Sequence, residues 1–141
     1  MILTKLSTQV LDEQAVLVAL EQSLAMIEFN TQGDVLWANN NFAQAMGYQM
    51  SELPGIHHQQ FCMPNFVNSS EYKILWDNLR AGKKFQEKIV RVTKDGSILW
   101  LEATYMPINN ENGQGVAVLK VATDITAREI ATTQLTTELQ E

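Results

Sequence analysis

The chain has 141 residues, of which 45% are hydrophobic and 18% are charged, and its formal net charge is −6. This length and composition are those of one globular domain with its own core, and they exclude a disordered or fibrous chain. The negative charge argues against nucleic acid and anionic membranes as partners, because binding to either depends on clustered Lys and Arg.

The single cysteine, Cys62, excludes an internal disulfide and a zinc site built from paired cysteines. One thiol fits a reducing compartment. The first six residues lack the apolar region of a signal peptide, and no stretch approaches the roughly 20 apolar residues of a membrane span. We therefore expect a cytoplasmic domain that makes no membrane contact of its own.

The first predicted elements are a helix, a hairpin and a short helix. Residues 11–22 form an amphipathic pattern that could cover a sheet or pair with its own copy. Two short strands, over residues 24–29 and 35–38, flank a Gly- and Asn-containing turn and predict a hairpin. The three asparagines at 39–41 cap a helix over residues 42–46, which Gly47 ends.

The second half predicts one longer helix and three strands. Ser69 or Ser70 caps a helix over residues 71–81, after a segment without periodicity at 56–68. Strands over residues 85–93 and 98–108 flank Asp95-Gly96, a strong hairpin signal, and a last strand covers residues 116–123. The sequence thus predicts an α+β domain with five antiparallel strands, one sheet face on the helical middle and the other left for the terminal helices.

The end of the chain predicts an output joint. Thr126 and Glu129 have the spacing of a capping box, which would start a helix over residues 127–140 directly after the last strand. Its apolar stripe of Ile130, Leu135 and Leu139 is too thin to anchor the helix on a core. Motion of the strand would then move the helix, although a terminal helix that only completes the domain is the alternative.

Three segments in order resemble a PAS sensory domain: residues 27–39, the strand that follows Lys94-Asp95-Gly96, and Asp124-Ile125-Thr126. The resemblance covers residues 18–126 and implies the PAS fold, a five-stranded antiparallel sheet with short helices on one face and flanking N- and C-terminal helices. The middle segment is most similar to PAS domains of bacterial chemoreceptor-type transducers. We divide the chain into a flanking helix (1–22), a PAS domain (23–126) and a signalling helix (127–141).

The resemblance implies a sensing or docking module without chemistry of its own, coupled to a downstream kinase or chemotaxis signalling domain of the same chain. Asp124 and Thr126 carry the coupling motif, and Glu129 belongs to the predicted capping box. The alternative is a PAS domain without ligand that forms a homodimer through the N-terminal helix and the outer sheet face. Apolar residues on that face favour this alternative: Ile98, Trp100, Leu119 and Val121.

PAS ligands lie between the inner sheet face and the helical segment, which implies a set of lining residues here: Leu101, Ala103, Tyr105, Val118 and Ala122. The small alanines could leave room for a cofactor, but aromatic residues of the helical segment could fill the same volume, and a filled core is favoured. The cofactor therefore stays open between haem, flavin and none.

His57 and His58 lie where some haem-binding PAS domains present an axial imidazole, so either could ligate haem iron. Cys62 lacks the neighbours of the photochemical cysteine in flavin-binding relatives and is expected to be a structural thiol. Lys120 points to the inner face, where Glu28 is its expected partner. The sequence has no recognisable catalytic constellation, so we expect no enzyme activity.

Overall fold

The computed structural model describes residues 6–140, with side chains described as far as Leu135. The elements in chain order are α1 (Glu13–Ser23), β1 (Ala25–Asn30), β2 (Val35–Ala38), α2 (Asn40–Met46), α3 (Pro64–Val67), α4 (Ser70–Arg80), β3 (Phe85–Val92), β4 (Ile98–Asn109), β5 (Gly115–Asp124) and α5 (Thr126–Gln140), with short 3-10 turns at Met50–Glu52 and His58–Phe61. The strands form one antiparallel sheet in the order β2-β1-β5-β4-β3. The predicted five-stranded α+β architecture is confirmed.

Local side-chain chemistry sets the element boundaries. The Asn39 carboxamide oxygen accepts a hydrogen bond from the Phe42 N–H at 3.0 Å and starts α2, which Gly47 ends with φ +82°. The Ser69 hydroxyl accepts from the Tyr72 N–H at 3.3 Å and caps α4. These caps were predicted from the sequence, and the predicted strands and helices agree with the observed ones to within about two residues.

The core lies between the inner sheet face and the layer formed by α2, α4 and the 3-10 turns. Strict alternation along β4 buries Leu101, Ala103 and Tyr105, as predicted, while Ile98 on the opposite face is half exposed. Val118 and Ala122 of β5 lie beside them. Edge-to-face ring contacts, Phe29 with Trp76 and Tyr105 with His58, join the sheet to the helical layer, so this side of the domain is closed by packed rings.

The terminal helices lie outside this core. Helix α1 is capped by Asp12, and none of its residues is buried. In α5 the side chains of Ile130 and Leu135 are 59% and 58% exposed, and Leu139 lies outside the described side chains. Of the helices within residues 6–140, none combines the length and the apolar character needed to cross a bilayer.

Candidate functional site

A buried hydrogen-bond network occupies the centre of the inner sheet face. His58, at the start of a 3-10 turn, is fully buried, and its Nε2 lies 2.7 Å from the Tyr105 hydroxyl of β4. Its Nδ1 lies 3.1 Å from the Tyr72 hydroxyl of α4. Because the two partners come from the sheet and from the longest core helix, this single imidazole connects both layers of the domain.

Two basic side chains lie beside this imidazole. Arg91 of β3 is 2% exposed, and its Nη2 donates to the Tyr105 hydroxyl at 3.0 Å. Lys120 of β5 is 1% exposed, with its Nζ 5.0 Å from the centre of the Tyr105 ring and 5.7 Å from that of Phe42. Charged side chains are almost never buried without a partner, so this pair makes the site unusual.

Burial, followed by the nearby Arg91 and Lys120 side chains, lowers the pKa of His58 well below its usual range, so the imidazole is neutral at pH 7. Because Arg91 has only donors, the Tyr105 oxygen accepts from it. We assign the Tyr105 proton to the bond with His58 Nε2, which leaves His58 Nδ1 protonated and donating to Tyr72. The network is then a directed chain from Arg91 to Tyr72.

The predicted ligand-lining residues do come together, but the volume they face is filled. Leu101, Ala103, Tyr105 and Ala122 are all buried on the inner face. The His58 ring packs against the rings of Phe29 and Trp76, each with its centroid 5.2 Å away. Side chains at this density leave the centre of the inner face without room for a large planar cofactor.

Neither histidine offers a free nitrogen to haem iron. His57 Nε2 lies 2.7 Å from the Gln32 carbonyl oxygen, and its Nδ1 accepts from the Gln59 N–H at 3.1 Å. Both ring nitrogens of His58 are bound to tyrosine hydroxyls. This arrangement does not fit an axial ligand, because ligation would require breaking one of these bonds.

The Cys62 thiol is buried, as expected for a structural cysteine. Its Sγ lies 3.6 Å from His58 Nδ1, and burial raises its pKa, so the reactive thiolate is disfavoured. Within the described residues, His, Cys, Asp and Glu side chains form no group of three or more that could hold a metal ion.

The expected partnership between Lys120 and Glu28 is wrong. In the β1–β5 pairing Lys120 lies opposite Ile27, whereas Glu28 lies opposite Leu119. Residues directly opposite in an antiparallel pair point to the same face, so Glu28 points to the outer face and is exposed there. Among the described residues, Lys120 forms no ion pair with a carboxylate, and its Nζ lies over the ring faces of Phe42 and Tyr105.

A groove of about 780 Å³ opens at the edge of the sheet, between β3 and the helices α3 and α4. Most of its surface is apolar, and it reaches the edge of the buried network. Its principal lining residues are Phe66, Ile74, Leu75, Phe85, Ile89 and Arg91. Because Arg91 belongs both to this groove and to the network, a ligand in the groove could contact the network from the outside.

The start of α5 is hydrogen-bonded to β4, and its contacts differ from the predicted capping box. The Thr126 hydroxyl accepts from the Trp100 N–H at 2.9 Å, and the Ile125 N–H donates to the Trp100 carbonyl at 2.9 Å. The Asp124 carboxylate accepts from the Thr126 N–H at 2.9 Å. Helix α5 already begins at Thr126, so its hydroxyl faces β4 and does not cap the helix.

Glu129 also has a different partner from the one predicted. Its carboxylate lies 3.2 Å from the Nζ of Lys88 on β3. The bonds of Thr126 and Glu129 thus join the first turn of α5 to β4 and β3 and replace the predicted reciprocal contact between these two residues. The coupling role of Asp124, Thr126 and Glu129 stays a prediction.

Sequence reasoning missed Arg91. Alternate side chains of a β-strand point to the same face, so Arg91 points to the same face of β3 as Phe85 and Ile89, which is the buried face. That signal was present in the sequence. Tyr72 was expected only to fill volume, and its hydrogen bond to His58 could not be read from the sequence because 14 residues separate the two in the chain.

Comparison with known proteins agrees with this geometry. Residues 35–122 match the PAS fold family model. The biofilm dispersion protein BdlA of Pseudomonas aeruginosa is 39% identical over 109 residues, which are 77% of this chain and 26% of that protein. The aerotaxis receptor of Escherichia coli is 25% identical over 111 residues, which are 79% of this chain and 22% of the receptor. The chain thus spans about a quarter of the length of these relatives.

A solved structure gives the same fold. The PAS domain of a protein from Colwellia psychrerythraea superposes with a TM-score of 0.71 at 23% identity, over 81% of this chain and 97% of that one. At this identity the superposition supports the fold alone. The family match covers more than half of the chain and includes β2, β3, β4 and all but the last two residues of β5. The chain therefore belongs to the PAS fold family.

Proposed function

We propose that this domain is the sensory input module of a bacterial signal-transduction protein, and that its signal leaves through α5 to an output domain of the same protein. The observation that carries the proposal is the joint at Trp100. Both backbone groups of this β4 residue bind the start of α5, the N–H to the Thr126 hydroxyl and the carbonyl to the Ile125 N–H. A shift of β4 is therefore transmitted directly to the helix.

The relatives support a sensory role. One of the two is named as an aerotaxis receptor and the other as a biofilm dispersion protein, and in both the similarity covers more than three quarters of this chain. The input would be a small ligand or a redox cofactor that changes the packing of the inner face. The module itself would catalyse no reaction, and its output would depend on the domain that follows.

We also propose that two copies associate through α1 and the outer sheet face. Helix α1 has only 11 residues, and isolated helices of this length are marginal in water. Leu17, Val18 and Leu20 are 41–44% exposed on this helix, and Ile98 on the sheet is 50% exposed. A second copy would cover these apolar side chains and stabilise α1.

The coupling is tested by Thr126→Val, which keeps the shape of the side chain and removes its hydroxyl. Losing one hydrogen bond of ~1 kcal/mol should make amide exchange at Trp100 and in the first turns of α5 about fivefold faster. Thr132→Val is the matched control, because that hydroxyl donates to the Arg128 carbonyl of the same helix. Unchanged exchange in Thr126→Val would contradict the coupling.

The dimer is tested by analytical ultracentrifugation of Leu20→Glu beside Ala19→Glu. Both changes place a carboxylate on an exposed position of α1, the first on an apolar residue of the proposed interface. Ala19 is the control, because none of the three exposed apolar residues of α1 is three or four residues from it and shares its face. We expect the wild type and Ala19→Glu to sediment as dimers and Leu20→Glu to sediment as a monomer. A monomeric wild type at concentrations of about 100 μM would exclude a stable dimer of this domain.

A further inference from the structure

The floor of the groove beside β3 carries a buried cation. Arg91 is 2% exposed and lines the groove together with apolar side chains from α3, α4 and β3. Its Nη1 donates to the Val90 carbonyl at 2.8 Å and its Nη2 to the Tyr105 hydroxyl at 3.0 Å. Its Nε–H is buried and has no hydrogen-bond partner within the described part of the chain.

No carboxylate among the described side chains neutralises this guanidinium. Glu71 and Glu87 line the groove but are exposed, and neither forms an ion pair with Arg91. Lys88, the other cation of the groove, already pairs with Glu129. A buried guanidinium with an unused donor lacks the anion that normally compensates its burial.

We propose that this groove binds a small monocarboxylate with an apolar body, with its carboxylate on Arg91 and its body along Phe66, Ile74 and Phe85. The proposal rests on the sensory function proposed above and names the class of ligand. Guanidinium and carboxylate form charge-assisted hydrogen bonds about twice as strong as neutral ones. A groove of about 780 Å³ lies within the range of small-molecule sites.

The charges at the rim select against other anions. Glu71 and Glu87 would repel a ligand with several negative charges, whereas one carboxylate is balanced by Arg91 alone. A neutral apolar molecule would fill the groove but leave the Nε–H of Arg91 without a partner. The combination of one buried cation with an apolar wall therefore favours a single charge on an apolar body.

Access to the guanidinium requires one side chain to move. The Phe66 ring lies over the Arg91 guanidinium, with its centroid 5.2 Å from the Cζ atom. Phe66 is half-buried and belongs to α3, a single turn of four residues. Rotation of this ring would expose the Nε–H to the groove, and the carboxylate would replace the ring face as the neighbour of the cation.

The primary experiment is isothermal titration calorimetry of the 141-residue chain with octanoate, 1-octanol and acetate. Octanol has the apolar body without the charge, and acetate has the charge without the body. We expect octanoate to bind about tenfold or more tightly than octanol, and acetate not to bind at the same concentrations. Equal affinity for octanoate and octanol, or no binding of octanoate, would overturn the proposal.

Variants distinguish carboxylate binding by Arg91 from nonspecific apolar binding in the groove. Arg91→Gln should lower the affinity for octanoate to that for octanol and leave octanol binding unchanged. Ile74→Glu and Leu36→Glu are a second pair, because both residues are exposed, at 55% and 53%, and only Ile74 lines the groove. Octanoate binding should be lost in Ile74→Glu and kept in Leu36→Glu, and this comparison decides the matter if Arg91→Gln does not fold. Binding retained in Ile74→Glu would refute the location.

The test is independent of the signalling proposal. If octanoate fails to bind while Thr126→Val still loosens α5, the ligand class is wrong and the output joint stands. If octanoate binds while Thr126→Val leaves α5 unchanged, the groove is a ligand site and the proposed output route is wrong.

Discussion

The buried Lys120 is the feature whose removal has the clearest expected consequence, and we predict that Lys120→Met stabilises the domain. Methionine has a similar length and no charge. The side chain is 1% exposed, and its Nζ lies over the rings of Phe42 and Tyr105. The attraction of a charged ammonium to these rings is worth ~0.5–2 kcal/mol, less than the several kcal/mol that burying the charge costs. Burial, followed by the nearby Arg91, lowers the pKa of Lys120 well below its usual range, so desolvation dominates.

The size of the effect follows from the proton balance. Deprotonating an exposed lysine at pH 7 costs ~4.6 kcal/mol. Because a buried lysine can always release its proton, this cost is the upper limit of the free energy by which burial of Lys120 destabilises the folded domain. Replacing buried ionic groups by apolar ones typically gains ~1–4 kcal/mol. We therefore expect the free energy of unfolding of Lys120→Met to exceed that of the wild type by ~1–4 kcal/mol at pH 7.

The pH dependence of the stability difference is a second test of whether Lys120→Met stabilises the domain. Because the folded pKa is lowered, the unfolded wild type binds more protons than the folded form between that pKa and the ~10.4 of an exposed lysine. Wild-type stability therefore rises with pH through this window. The advantage of Lys120→Met should then shrink by up to about 1.4 kcal/mol per pH unit between pH 8 and pH 9.

Urea unfolding of wild type and variant at pH 7, 8 and 9 measures both quantities, and other titrating groups cancel in the difference. Lys84→Met, at an exposed lysine directly before β3, is the matched control and should change stability by less than about 0.5 kcal/mol. A less stable Lys120→Met, or a difference independent of pH, would mean that the ring faces hold a charged ammonium and that our reasoning is wrong.

Three further outcomes are expected. Tyr105→Phe removes a partner of His58 and the acceptor of Arg91 and should destabilise the domain by ~1–3 kcal/mol per group left unpaired. This loss should exceed that of Tyr72→Phe, which removes the other partner of His58 and leaves the bond between Arg91 and Tyr105 in place; calorimetric melting measures both. Gly115→Ala would place a Cβ in direct conflict with the Leu79 carbonyl oxygen and should lower the free energy of unfolding in urea by about 3 kcal/mol. A Gly115→Ala variant as stable as the wild type would contradict this packing. Chain expressed with a haem precursor should show no Soret band, and a band lost in His58→Ala would mean that the core opens around haem.

Much of the fold could be predicted because its boundaries depend on local chemistry. The Asn39 cap, the Gly47 helix end and the Asp95-Gly96 hairpin each involve residues within a few positions of one another. The alternation along β4 likewise depends only on the pleat of the strand. Such signals can be recognised in the sequence without knowing which elements pack next to them.

The site was predicted less well because it depends on strand register. The expected pair of Lys120 and Glu28 was wrong by one residue, and a shift of one residue in a strand moves a side chain to the opposite face. The predicted capping box had the correct spacing, but Trp100, 26 positions earlier in the chain, competes for the Thr126 hydroxyl. Contacts across such separations follow from tertiary packing and have no local sequence signal.

The pairing of β1 with β5 has a consequence for the architecture of longer proteins. Ala25, the first residue of β1, lies directly opposite Ala122, close to the end of β5. Paired residues in antiparallel strands are about 4.5–5.5 Å apart, so the polypeptide enters and leaves the sheet at nearly the same point. A domain with adjacent entry and exit can be inserted into, duplicated within or deleted from a longer polypeptide with little displacement of its neighbours, which makes this fold a readily transferable unit in evolution and in engineered fusions.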